Sequence, residues 1–167
     1  MLSMQFFVSN LNNYISYKGF LTVRELADFL SINYNRLVSW LNFQRTPPLA
    51  VLDKIANKMQ IYSKDLIGRQ IDFNSYGFIG GIENLSNVQF CINLRKYLNK
   101  YDIKTASDFV AYFDGVFSEH TYYSYFKNSN SKTPSLKSLE TISRFLEVKP
   151  SQLIEWKGGR IYAKQFL

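Results

Sequence analysis

Cysteine and histidine are almost missing from this chain, with Cys91 and His120 the single example of each. One cysteine cannot close an internal disulfide. One cysteine with one histidine cannot furnish a typical zinc site or a metal-assisted Cys–His dyad. Acidic residues are also short: 13 Asp+Glu stand against 20 Lys+Arg, giving a formal net charge of +7 and a pI near 9.4. That balance favours a polyanionic partner, nucleic acid before an anionic surface or an acidic protein. No apolar run reaches the roughly 18 residues that a membrane span requires, so no membrane partner is expected. The opening stretch MLSMQFFVSN has neither the charged start nor the long apolar centre of a secretory leader. With the lone cysteine, this makes a cytoplasmic, reducing location the expectation. A glycine-rich phosphate loop, a metal-ligand cluster and a nucleophile elbow are likewise missing. Neither enzymatic activity nor a cofactor or metal is expected.

What is present is core material, 46% hydrophobic residues with 14 Phe and 12 Tyr, and that material repeats. FVSNLNNYI (7–15) aligns with FCINLRKYL (90–98), with Phe7/Phe90, Asn10/Asn93, Leu11/Leu94 and Tyr14/Tyr97 identical at an offset of 83. The same offset pairs Thr22/Thr105, Leu26/Phe109, Ala27/Val110 and Leu30/Phe113. Further on, Pro47/Pro134, Leu52/Leu139, Ile55/Ile142, Ile61/Val148 and Leu66/Leu153 align at an offset of 87, so the second copy carries four more residues between Phe113 and Pro134. A match this long means two copies of one small domain.

Each copy reads as five helices, and neither carries a strong strand signal. In copy one, Phe7, Val8, Leu11 and Ile15 share one helical face. Thr22 has the character of an N-cap, with Glu25 completing a capping box before Leu26, Ala27 and Leu30. SIN breaks that helix, and Asn33 caps a third over 34–42 with Leu37, Trp40 and Leu41 inward. LAVLDKIANKM makes a fourth, and SKDLI a short fifth capped by Ser63. Copy two repeats the series in QFCINLRKYLNKY, ASDFVAYF, EHTYYSYFK, SLKSLETISRFL and PSQLIEW. The expected class is therefore all-α, with domain one over 1–68, a linker over 69–87, and domain two with a C-terminal tail over 88–167. The linker's Ile71, Phe73, Tyr76, Phe78 and Ile79 argue for an ordered, partly extended segment rather than a loose tether. The tail KGGRIYAKQFL echoes GRQIDF and is also expected to be extended.

The pattern T-x-x-E-L-A-D-F-L-S-I-N-x-x-x-L-V-S-W, followed by R-T-P-P and an amphipathic helix, resembles the Cro/phage-repressor-like (XRE) helix-turn-helix family. The resemblance implies two tandem five-helix lambda-repressor-like domains, the second helix of each motif lying in a DNA major groove. By that resemblance Tyr34, Asn35, Arg36 and Ser39 face the bases in copy one, where Asn suits adenine and Arg guanine. Thr22 and Arg24, with Gln44 and Arg45, fall to the phosphate backbone. In copy two, with Ser118 as cap, His120, Thr121 and Ser124 face outward while Tyr122 and Tyr125 enter the core. Lys127, Asn128, Asn130 and Lys132 then offer backbone contacts. The chain departs from the family at Val23 and Ala106, where Gln is usual, and at Leu41 and Phe43, where Glu and Gly are usual.

The expected partner is double-stranded DNA, read by a regulator of bacterial or phage type. It would act as a monomeric pseudo-dimer or as a homodimer, and its unlike recognition helices remove the need for a palindrome. Copy two is the more basic at +5 against +3 for copy one, with −1 in the linker, but Glu119 begins its recognition helix. Copy two is therefore expected to hold phosphates while copy one reads bases. The rival reading is a protein-binding inhibitor on the same duplicated scaffold, an antirepressor or anti-defence protein, working through the aromatics Phe43, Tyr62, Tyr76 and Tyr123.

Overall fold

The computed structural model describes residues 2–79, 83–126 and 133–156. These residues form ten α-helices and no strand: α1 (Leu2–Lys18), α2 (Val23–Leu30), α3 (Tyr34–Leu41), α4 (Leu49–Met59), α5 (Ser63–Gly68), α6 (Ser86–Lys100), α7 (Ala106–Tyr112), α8 (Glu119–Phe126), α9 (Leu136–Phe145) and α10 (Pro150–Leu153). None of them is long and apolar enough to cross a membrane. The apolar periods seen in the sequence become the core. Phe7, Leu11, Leu26, Leu37, Leu52 and Ile55 are fully buried in the first five helices, as are Phe90, Leu94, Phe109, Leu139 and Ile142 in the second five. One continuous apolar cluster runs through both halves.

Local chemistry starts the helices. Thr22 accepts the Glu25 N–H, but the Glu25 carboxylate takes the N–H of Leu21 rather than closing the box on Thr22. The full box forms in copy two, between Thr105 and Asp108. Those hydrogen bonds hold the Asp108 carboxyl below its ordinary pKa. Asn33 caps α3 through the Arg36 N–H and Ser135 caps α9 through the Ser138 N–H. Ser63 does not cap α5. It is the helix's first residue, is buried, and donates its hydroxyl to Asp53 at 2.7 Å. Asn10 and Asn93, identical in the alignment, are buried in α1 and α6, where each holds the end of its own copy's last helix. Asn10 Nδ2 donates to the carbonyls of Leu66 and Arg69, and Asn93 Nδ2 to those of Leu153 and Glu155. These bonds satisfy carbonyls that a helix C-terminus leaves without partners.

The described part of the linker is packed but forms no strand. Ile71 and Phe73 are buried, and the Phe73 ring meets Tyr14 edge-on at 5.1 Å. Asn84 is bound on three sides: it accepts from Ser63 N–H and donates to Asn57 Oδ1 and to the Ile61 carbonyl. The C-terminal tail lies outside the described residues.

The two halves meet through equivalent residues. Leu49 N–H donates to the Pro134 carbonyl and Leu136 N–H to the Pro47 carbonyl, both at 3.0 Å, around an antiparallel bridge between Pro48 and Ser135. Pro47/Pro134, Pro48/Ser135 and Leu49/Leu136 are counterparts at the offset of 87, so the two hydrogen bonds are exchanged across the bridge. The N-termini of α1 and α6 are exchanged in the same way. Ser3 N–H donates to Glu140 at 2.8 Å and Ser86 N–H to Asp53 at 2.9 Å, where Ser3/Ser86 and Asp53/Glu140 are again counterparts. Reciprocal contacts between equivalent patches define an approximate two-fold axis, as in an isologous dimer. The axis passes beside Pro48 and Ser135. The short helices α5 and α10 also touch here, with Lys64 and Glu155 in an ion pair at 2.9 Å.

Candidate nucleic-acid interface

In copy one the turn between α2 and α3 is made by Ser31, whose left-handed backbone (φ 55°) lets its N–H and that of Ile32 return to the Asp28 and Ala27 carbonyls. Leu26, Ala27 and Leu30 of α2 and Leu37 and Trp40 of α3 are buried. Trp40 meets Phe7 edge-on, which fixes α3 on α1. The opposite face of α3 presents Tyr34, Asn35 and Arg36 to solvent, with Ser39 half-buried and bonded to the Arg36 carbonyl. Beyond the helix, the N–H groups of Gln44 and Arg45 both donate to the Ser39 carbonyl, so the loop curls back beside the helix end. Asn33, Asn35, Arg36, Ser39, Gln44 and Arg45 thus line one open polar depression. Base-facing and backbone-facing candidates from two elements converge there. Neither Arg36 nor Arg45 is in an ion pair among the described residues.

Two other candidates meet each other. The Arg24 guanidinium lies over the Tyr34 ring at 4.8 Å, tying the start of α2 to the start of α3. The equivalent tie in copy two has different chemistry: Ser107 Oγ donates to Glu119 at 2.9 Å. Thr22 Oγ1 is occupied in capping.

Copy two holds its motif on the same plan with a longer turn. The offset is 83 at Ser31/Asp114 and 85 at the caps Asn33/Ser118, so two of the four extra residues fall here. Phe117 fills the added space against Phe109 and Phe113. Tyr125 meets Phe90 edge-on as Trp40 meets Phe7, which fixes the register of α8. Burial pushes the Tyr125 phenol up to about 12, leaving it a neutral core group. His120 is exposed and Thr121 half-buried, while Tyr122 is half-buried with its hydroxyl on the Lys104 carbonyl. Ser124 departs from expectation. It is 4% exposed and bonds the Thr121 carbonyl, because the last turn of α8 lies against α6, where Cys91 Sγ reaches the Tyr125 carbonyl. Ser124 is therefore not an outward-facing residue. Lys127, Asn128, Asn130 and Lys132 lie outside the described residues.

Of the four aromatics of the rival reading, Tyr62 and Tyr76 meet, the Tyr62 N–H donating to the Tyr76 hydroxyl and both residues lining one open depression. Tyr76 donates its hydroxyl to Asp65 and packs on Phe78, and Tyr123 meets Tyr122 edge-on. Tyr62 sits just before α5 beneath Lys64, and Phe43 lies just beyond α3 at 55% exposure. The described residues hold no group of His, Cys, Asp and Glu able to bind a metal. Compared with known protein families, characterised proteins and solved structures, the chain matches none.

Proposed function

We propose that this protein is a sequence-specific double-stranded DNA-binding regulator. Its helices α3 and α8 enter successive major grooves about one helical turn apart. The observation that carries this reading is the depression shared by Asn35, Arg36, Ser39, Gln44 and Arg45. It places amide and guanidinium groups at the mouth of a two-helix unit, on the side of α3 opposite the buried Leu37 and Trp40. Such groups match base edges and phosphates, and the net charge of +7 suits the polyanion. The approximate two-fold axis orients the two motifs oppositely, so the target comprises two half-sites in inverted orientation. Their sequences differ, because Asn35 and Arg36 of one copy correspond to His120 and Thr121 of the other.

Selection of bound fragments from random duplex DNA tests this directly. Two unlike half-sites in inverted orientation are expected, with affinity that falls steeply with salt. Recovery of no consensus would overturn the reading.

A further inference from the structure

Among the described residues, six non-glycines have a left-handed backbone, each just past a helix: Ser31, Phe43, Gln60, Asp102, Asp114 and Glu147. All six are exposed. Five are polar or charged residues, at home where a helix ends in water. Phe43 is the exception, an aromatic at φ 59° with 55% of its surface exposed. A bulky side chain is strained in this conformation. Burial offsets little of the strain, since more than half of the side chain is exposed and, among the described residues, Phe43 has no aromatic ring contact and no place in the apolar cluster. At the corresponding position copy two carries asparagine by either offset, Asn128 at 85 or Asn130 at 87.

The location gives the ring something to meet. Its own N–H is tied to the Trp40 carbonyl, and those of Gln44 and Arg45 to the Ser39 carbonyl, so the residue is held rather than loose. Its chain neighbours on one side, Gln44 and Arg45, line the polar depression with Asn35 and Arg36. We propose that Phe43 is a specificity-determining DNA contact, its ring packing on an apolar edge of the duplex beside the bases read by α3. Two parts of DNA offer such an edge, the thymine methyl group and the face of a deoxyribose. The proposal rests on the DNA-binding reading above. The ring is retained at a cost to folding because it contributes to binding.

That trade sets opposite signs on two measurements. Phe43→Asn, which suits the left-handed backbone, should raise the melting temperature by about 2–4 °C while weakening binding to the selected site roughly tenfold. Phe43→Gly should behave alike, and Phe43→Leu should keep most of the affinity. Replacing each thymidine of the site singly by deoxyuridine then distinguishes the two sources. If the methyl is the partner, one replacement weakens wild type and leaves Phe43→Asn unaffected. If the sugar is the partner, no replacement shows that dependence, although Phe43→Asn still binds weakly. Phe43→Asn binding as tightly as wild type overturns the proposal and gives the ring to a protein face. Wild type binding no DNA selectively overturns the proposal together with the reading beneath it.

Discussion

On the DNA-binding reading proposed above, Asn35 and Arg36 are the residues whose removal should separate binding from folding. Both are exposed on α3, and among the described residues Arg36 serves the fold through its backbone, its N–H capped by Asn33 and its carbonyl accepting from Ser39. Replacing both by Ala should cost about 1–3 kcal/mol for each bidentate pairing with a base that disappears, and relax preference at those positions. The melting temperature should stay within a degree or two of wild type, and a double variant that keeps the wild-type preference would remove α3 from the mechanism. At this scale the sequence was readable wherever a residue's role is local. Asn33 before a helical period announces a cap, and the identity of Asn10 with Asn93 marks a shared buried duty. Ser124 was unreadable, because whether the last turn of α8 faces water depends on α6, which is distant in sequence. The Arg24–Tyr34 stack was hidden for the same reason. Nothing in either residue type says that two groups suited to DNA will meet each other first.

Among the elements, the amphipathic helices were the most legible part of the fold, since a 3.6-residue apolar period leaves few alternatives. The turn before α8 was less so, because only the packing of Phe117 shows how the two added residues are accommodated. The sequence following α8 carries Lys127 and Lys132, and copy two is the more basic half. Replacing both lysines by Ala should weaken binding to all sequences alike and lower the salt slope by about one unit for every phosphate no longer neutralised. A shift in sequence preference instead would make copy two, rather than copy one, the reader of bases. The contact between α5 and α10 makes a separate prediction about stability. A Cβ added at Gly68 would stand 2.8 Å from Ser151 Cβ, an atom fixed to its own backbone. Gly68→Ala should therefore destabilise the protein by about 1–3 kcal/mol, as overpacking does. Ser151→Gly in the same chain should recover much of that loss, which a chemical-denaturation cycle of the four proteins would measure.

For the whole molecule, duplication was visible in the sequence but the two-fold arrangement was not. The offsets identify Ser3 with Ser86 and Asp53 with Glu140, yet no local pattern says that each serine crosses to the other copy's carboxylate. Asp53 lies at this junction, buried and holding Ser63 and Ser86. Burial raises its pKa above the ordinary 3.8, although the serine hydrogen bonds oppose that shift and Glu83 adds to it. A carboxyl with a raised folded-state pKa gives its full stability below its unfolded pKa, near 4, and loses it as pH climbs through the folded value. The stability of wild type relative to Asp53→Asn should thus decline from pH 4 upward and then level off. Melting temperatures of the two proteins across pH 3.5–7, a window set by roughly that unfolded value, would show this. A difference that grows with pH would place the carboxylate among net stabilising charges instead.

The bridge between Pro48 and Ser135 joins two halves of a single chain, so dilution cannot part them. In an assembly of two separate chains the same contact would form in proportion to the square of the amount present, and sparse molecules would stand mostly alone. Here the paired state is independent of abundance, because the tether keeps the halves close at any concentration. On the DNA-binding reading proposed above, occupancy of a two-part target by the single chain would follow the first power of the protein's amount. A small rise in synthesis would then be passed on as a small rise in occupancy, neither sharpened nor delayed by assembly of the two halves.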